Sequence, residues 1–194
     1  MIERTFHTLK KLPHRVRNRL SHHLISPREI LTDLGLAEGD AVLELGNPIG
    51  FFAGAALEIV GDPGRVVVAG PNNESLERIE HLTHRRQLET TLLADVLLGR
   101  AFEHHSVDWV ILTNLLSSSL HPDQFCLAIN QYIRSHGHVL VLDWDTTSQA
   151  GPLSERRVNR EAAIRMLGNC GLEFERSIPT PGYHYGLVFT VKTP

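Results

Sequence analysis

From residue 27 onward, short apolar runs alternate with segments of helical periodicity, and this alternation leaves few architectures open. The runs are AVLEL (41–45), RVVVA (65–69), TTLLA (90–94), VDWVILT (107–113) and HVLVLDW (138–144). Their hydrophobicity is continuous, which marks strands covered on both faces, as in a parallel sheet. Phe52, Ala55, Ala56 and Ile59 form an apolar helix face between the first two runs. Phe125, Ala128, Ile129, Tyr132 and Ile133 form a second face, with Pro122 suited to its first turn. Ala163, Met166, Leu167 and Cys170 form a third, with Gly171 as its stop. LEFERSI (172–178) and YGLVFTV (185–191) then follow with only a Pro/Gly turn between them, too short for a crossover helix, so they pair antiparallel. The expected fold is an α/β doubly wound, mostly parallel seven-stranded sheet with an antiparallel last strand. Ligands of such sheets bind at the carboxyl ends of the strands, at the switch in strand order. The loop after Leu45 is the prime candidate.

The length of 194 residues suits one domain with a sizeable core. No apolar run reaches the roughly 18 residues of a membrane helix, and the N-terminus lacks the apolar stretch of a secretory signal. Cys126 and Cys170 lie far apart in the sequence, each on an apolar helix face; both are expected to be buried free thiols in a reducing, cytoplasmic setting. A net charge of −3 and 6% aromatic residues give no general pull toward nucleic acid. Residues 1–23 differ: Arg4, Lys10, Lys11, Arg15, Arg17 and Arg19 face one acid, Glu3, and Leu9, Leu12, Val16 and Leu20 recur at helical spacing. Residues 1–26 are therefore expected as a basic helical extension or lid, and residues 27–194 as the α/β domain.

The stretch AVLELGNPIGFFAGAALEIVGDPGRVVVAGP resembles the first β-α-β unit of the class I S-adenosylmethionine (SAM) dependent methyltransferases. Val42, Leu43, Glu44, Leu45, Gly46 and Gly50 match the family pattern of apolar residues, an acid and a glycine loop. LLAD (92–95), SVDWVILTNLL (106–116), IRSHGHVLVLDWD (133–145) and PGYHYGLVF (181–189) resemble later motifs of that family, in the right order. The resemblance covers about residues 27–190 and implies a three-layer, Rossmann-like domain that transfers a methyl group from SAM to a small-molecule or other unidentified acceptor, leaving S-adenosylhomocysteine. It also implies roles. Gly46, Asn47 and Gly50 would bring the loop backbone against the methionine and ribose parts of the cofactor. Glu44 would position the cofactor's amino group, Asp95 would accept from the adenine amino group, and Asn114 would touch cofactor or acceptor. No metal is implied.

Two departures bear on that site. Pro48 stands where the family has its middle glycine, which fixes φ and removes an amide donor. Gly70 stands where the family ends its second strand in Asp or Glu, so the carboxylate that grips the ribose hydroxyls is missing. Each charge-assisted bond is worth roughly 1.5–3 kcal/mol, so binding is expected to weaken by about tenfold to a thousandfold or to be lost. Asn72, Asn73 or Glu74 either substitute in part or cap and start the next helix. Two alternatives to the enzyme follow: a catalytically inactive binding or scaffolding protein on the same fold, and a nucleic-acid-associated protein using its basic arm.

The remaining candidates have plain readings. His81 with His84, His104 with His105, and His136 with His138 form close pairs, but no Cys or carboxylate accompanies them at metal-ligand spacing. His121 and His184 fall in segments that border the expected pocket mouth, as a base or as ordinary capping or solvated histidines. Asp143 and Asp145 fall at the carboxyl end of the fifth strand, to orient an acceptor or to serve as loop and cap acids.

Overall fold

The computed structural model describes residues 26–83, 86–148, 151–180 and 183–192. The basic segment expected as a helical extension lies outside the described residues, as do His84 and half of the Pro/Gly turn.

The chain opens with α1 (Pro27–Leu34), where Ser26 Oγ accepts from the Glu29 amide and Gly35 closes the helix at φ +93°. Seven strands follow: β1 (Ala41–Gly46), β2 (Arg65–Gly70), β3 (Leu88–Leu92), β4 (Val107–Thr113), β5 (Ile133–Trp144), β6 (Leu172–Ile178) and β7 (His184–Val191). Between them run α2 (Ala53–Val60), α3 (Asn73–Thr83), the short α4 (Leu93–Leu97) and α5 (Leu115–Ser118), α6 (Pro122–Tyr132) and α7 (Arg160–Asn169). The sheet order is β3-β2-β1-β4-β5-β7-β6. The first five strands are parallel, and β7 runs antiparallel to both of its neighbours. The order reverses between β1 and β4, so the loop after β1 stands at the switch point as expected.

Two apolar layers bury the sheet. Val42, Val66, Val68, Ile111, Leu140 and Val188 pack with Leu31, Phe52, Ala56 and Val60 on the face covered by α1 and α2. Leu43, Leu45, Val67, Leu112, Val141 and Leu187 pack with Val96, Ile129, Leu167 and Cys126 on the other. The period of two in β1 thus sends Val42 and Glu44 to one layer and Leu43 and Leu45 to the other.

Three readings of the sequence shift. The third strand is Leu88–Leu92, not 90–94, and Leu93–Leu97 is helical. The apolar run continues past the strand because Val96 buries its side chain from a helix turn. The buried face of α2 is Ala53, Ala56, Leu57 and Val60, with Phe52 just before the helix. Both stripes have helical spacing, and only packing selects one. The fifth strand begins at Ile133, with a register shift opposite Val107–Trp109 that takes up the Ser-His-Gly stretch.

Candidate functional site

Glu44 is the most constrained group at the switch point. It sits on β1 two residues before the strand ends, with 1% of its surface exposed. Its Oε1 accepts from the Phe52 amide at 3.0 Å, so the carboxylate bridges β1 to the residues that start α2. Its Oε2 has no hydrogen-bond partner among the described residues. Burial pushes its pKa up to about 7, and the amides of Phe52, Ala53 and Phe51 hold it below where burial alone would set it. A buried acid faced by the amides that open α2 can still take a donor from a ligand.

The neighbouring strand supplies two more buried polar atoms without partners among the described residues, Thr113 Oγ1 and Asn114 Oδ1. Gly46 pairs with Thr113, and Glu44 pairs with Ile111 two residues back, so Glu44 and Thr113 share one face of adjacent strands. Gly46 is required there: a Cβ would lie 2.8 Å from Thr113 Cβ and 2.9 Å from its carbonyl oxygen. Asn114 has φ +53°, and its Nδ2 donates to the Asn47 carbonyl at 2.8 Å. The Asn47 amide in turn donates to the Thr113 carbonyl at 2.8 Å. Asn47 and Asn114 thus staple the loop to the end of β4. The Asn47–Pro48 peptide is cis. Gly50 has φ +70°, and a Cβ there would stand 2.8 Å from Ile79 Cδ1.

The structure therefore brings Glu44, Gly46, Asn47 and Asn114 together. Gly50 lies farther along the same loop, against α3. Asn72 and Asp95 have partners of their own on α3 and α4. Asn72 Oδ1 accepts from the Ser75 amide at 3.0 Å, which caps α3. Asp95 stands in the first turn of α4, not at a strand end, and meets Arg100 at 3.4 Å. It lines an open groove of about 370 Å³ with Leu76, Glu77, Glu80 and Thr91. Gly70 ends β2, and a Cβ there would lie 2.6 Å from Leu76 Cδ2 and 3.7 Å from Ile49 Cδ1. The place of a side chain at this position is filled by Leu76.

Sequence reasoning missed Thr113, Leu76 and Ile49. Thr113 was detectable only through the β1–β4 register, and Leu76 reads as an ordinary apolar helix residue.

The other candidates have structural partners. Asp143 is fully buried; it accepts from the amides of Leu116 (2.8 Å), Ser117 (3.2 Å) and Trp144 (2.7 Å) and from the Ser117 hydroxyl. It fixes α5 to β5. Burial raises its pKa, against the pull of those four bonds. Asp145 Oδ1 accepts from the amide and hydroxyl of Thr147, which hold its pKa below the usual carboxylate range. His184 is buried and stacks on Trp144 with ring centroids 4.2 Å apart. His121 is the exposed N-cap residue of α6. His138 stacks on Trp109 midway along β5, and its Nδ1 lies 3.5 Å from Glu175. Among the described residues, no group of three or more His, Cys, Asp and Glu could hold a metal ion.

No protein-family model matches the chain, and no curated protein matches it in sequence. Solved structures do match in fold. A SAM-dependent methyltransferase from Aquifex aeolicus superposes with a TM-score of 0.75 at 19% identity, over 95% of this chain and 97% of that one. A protein from Sulfolobus solfataricus assigned to the type 11 methyltransferases gives 0.74 at 19% identity, over 88% and 95%. The 1,6-didemethyltoxoflavin-N1-methyltransferase of Burkholderia thailandensis, solved with its substrate and S-adenosylhomocysteine, gives 0.65 at 12% identity, over 86% and 77%. The chain has the Rossmann-like α/β fold of the class I SAM-dependent methyltransferases.

Against SAM, the residues present fit in part. Glu44 Oε2, Thr113 Oγ1 and Asn114 Oδ1 offer unpaired buried acceptors at the switch point, suited to an amino acid's ammonium. At the end of β2, Gly70 has no side chain to accept from a sugar hydroxyl, and the atoms nearest its Cβ position belong to Leu76 and Ile49.

Proposed function

We propose that the protein is a SAM-dependent methyltransferase that holds its cofactor chiefly by the methionine end. The observation that carries this reading is the cluster of buried, unpaired acceptors beside a loop stapled to β4: Glu44 Oε2, Thr113 Oγ1 and Asn114 Oδ1. Burying such atoms without partners is costly, and a ligand ammonium carries N–H donors of the kind they lack. When bound, SAM supplies a sulfonium methyl group, and transfer to an acceptor needs mainly alignment and exclusion of water. Glu44 binds the ammonium, and the Asn47–Asn114 staple fixes the loop that closes on it. Asp143 holds α5, which follows Asn114 directly, and so keeps that end of the site rigid. The acceptor is not identified. Glu77, Glu80 and Asp95 line the adjoining groove and disfavour an anionic group there.

One observation favours a second reading. Leu76 and Ile49 border the position of the absent acid at Gly70, as in a protein that kept the fold and gave up the cofactor. A thermal-shift titration with SAM and S-adenosylhomocysteine separates the two. The enzyme reading expects a saturable rise of several degrees, since a ligand at about 100 times its Kd stabilises by about 2.7 kcal/mol. A flat response to both ligands at millimolar concentration contradicts it and leaves the binding or scaffolding reading.

A further inference from the structure

We propose that Leu76 is a specificity-determining residue: it closes the part of the ligand site beside Gly70 and gives it an apolar wall where a sugar diol would need acceptors. Two independent contacts mark the same point. A Cβ on Gly70 would lie 2.6 Å from Leu76 Cδ2 and 3.7 Å from Ile49 Cδ1. Leu76 comes from α3 and Ile49 from the loop after β1, so helix and loop meet over the end of β2. Leu76 is 6% exposed and also lines the groove that runs along α3 to Asp95. On the far side of the loop, Ile79 presses on Gly50 in the same way, with 2.8 Å from its Cδ1 to the Cβ position. A hydroxyl pair set against such a wall loses water and gains no partner, which disfavours it. The ligand is held at its amino-acid end, and its sugar hydroxyls contribute nothing to recognition. An acid at position 70 meets Leu76 Cδ2, so the double variant removes Leu76 to make room for it.

The choice of probe rests on the methyltransferase reading, but the comparison between variants does not. S-adenosylhomocysteine and its 2′-deoxy analogue are titrated by calorimetry into the wild-type chain and into the Gly70→Asp/Leu76→Ala double variant, each checked for folding by circular dichroism. The double variant is expected to bind S-adenosylhomocysteine at least about tenfold more tightly than wild type and to prefer it over the deoxy analogue by a similar factor. The wild type, where it binds, is expected to treat the two ligands alike within about twofold. Binding by the double variant alone supports the closure while removing the methyltransferase reading of the wild type. A folded double variant that binds no tighter than wild type overturns the proposal, as does a tenfold wild-type preference for the ribose form. Should the double variant fail to fold, Leu76→Asn places a polar group at the same point without altering Gly70. It is expected to gain about threefold for S-adenosylhomocysteine, and no gain overturns the proposal.

Discussion

At the residue scale, the account turns on Glu44 and Asn114. The pKa of Glu44 is raised from 4.5 to about 7 by burial. The unfolded chain ionises this group near 4.5, so its contribution to stability is intact below that value and is lost as pH rises through about 7. Above pH 7 the folded state carries a buried carboxylate at a cost of about 3 kcal/mol. Glu44→Gln keeps an acceptor for the Phe52 amide and cannot ionise. Its melting temperature is expected to fall less than that of wild type between pH 5 and pH 8, read by parallel thermal melts; equal slopes would contradict the assignment. Asn114 is a left-handed residue whose side chain also ties down Asn47. Asn114→Gly removes the side chain and keeps the backbone free to adopt that φ, whereas Asn114→Ala loses both. The alanine variant is expected to be the less stable by about 1 kcal/mol in urea unfolding. A glycine variant that is equally or more destabilised would mean that the conformation at 114 costs nothing.

At the scale of elements, Asp143 joins α5 to β5, and the two cysteines mark the seam between α6 and α7. Asp143→Ala strips partners from three buried amides and a hydroxyl. A loss of at least about 3 kcal/mol is expected, or roughly 6–12 °C in melting temperature. A change within a degree would show that α5 holds by its apolar contacts alone. Cys126 on α6 and Cys170 at the end of α7 are far apart in the sequence, yet both are free thiols buried in the same core cluster. Burial pushes the Cys126 thiol up to about 12 and raises Cys170 too. Neither should react with a disulfide reagent at pH 8 until the chain is unfolded, when both are released. Rapid labelling of the folded protein would contradict the packing of this seam. The sequence shows why the elements exist but not where each one ends. Leu92 and Leu93 read as one apolar run, yet the strand stops between them and Asp95 moves from a strand end to a helix turn. Pattern alone has no term for that change of period.

At the scale of the whole molecule, the fold class was legible because continuous apolar strands, helices between them and a final antiparallel pair admit few arrangements. The loop after β1 stands at the switch between β1 and β4, and Glu44, Gly46 and Asn47 fall there. What was not legible is three-dimensional. Thr113 enters the site through the register that sets it against Gly46, and Leu76 enters because Gly70 leaves a space that a helix residue fills. The absent acid at Gly70 can be read from the chain, while the side chain that took its place cannot. Calorimetric titration of S-adenosylhomocysteine at pH 6 and pH 7.5 asks whether a ligand ammonium satisfies Glu44. Ionised Glu44 is the binding form, so with a pKa of about 7 the affinity should rise about eightfold between the two values, with release of a proton. No heat at millimolar ligand, or an affinity that does not change with pH, would contradict the claim.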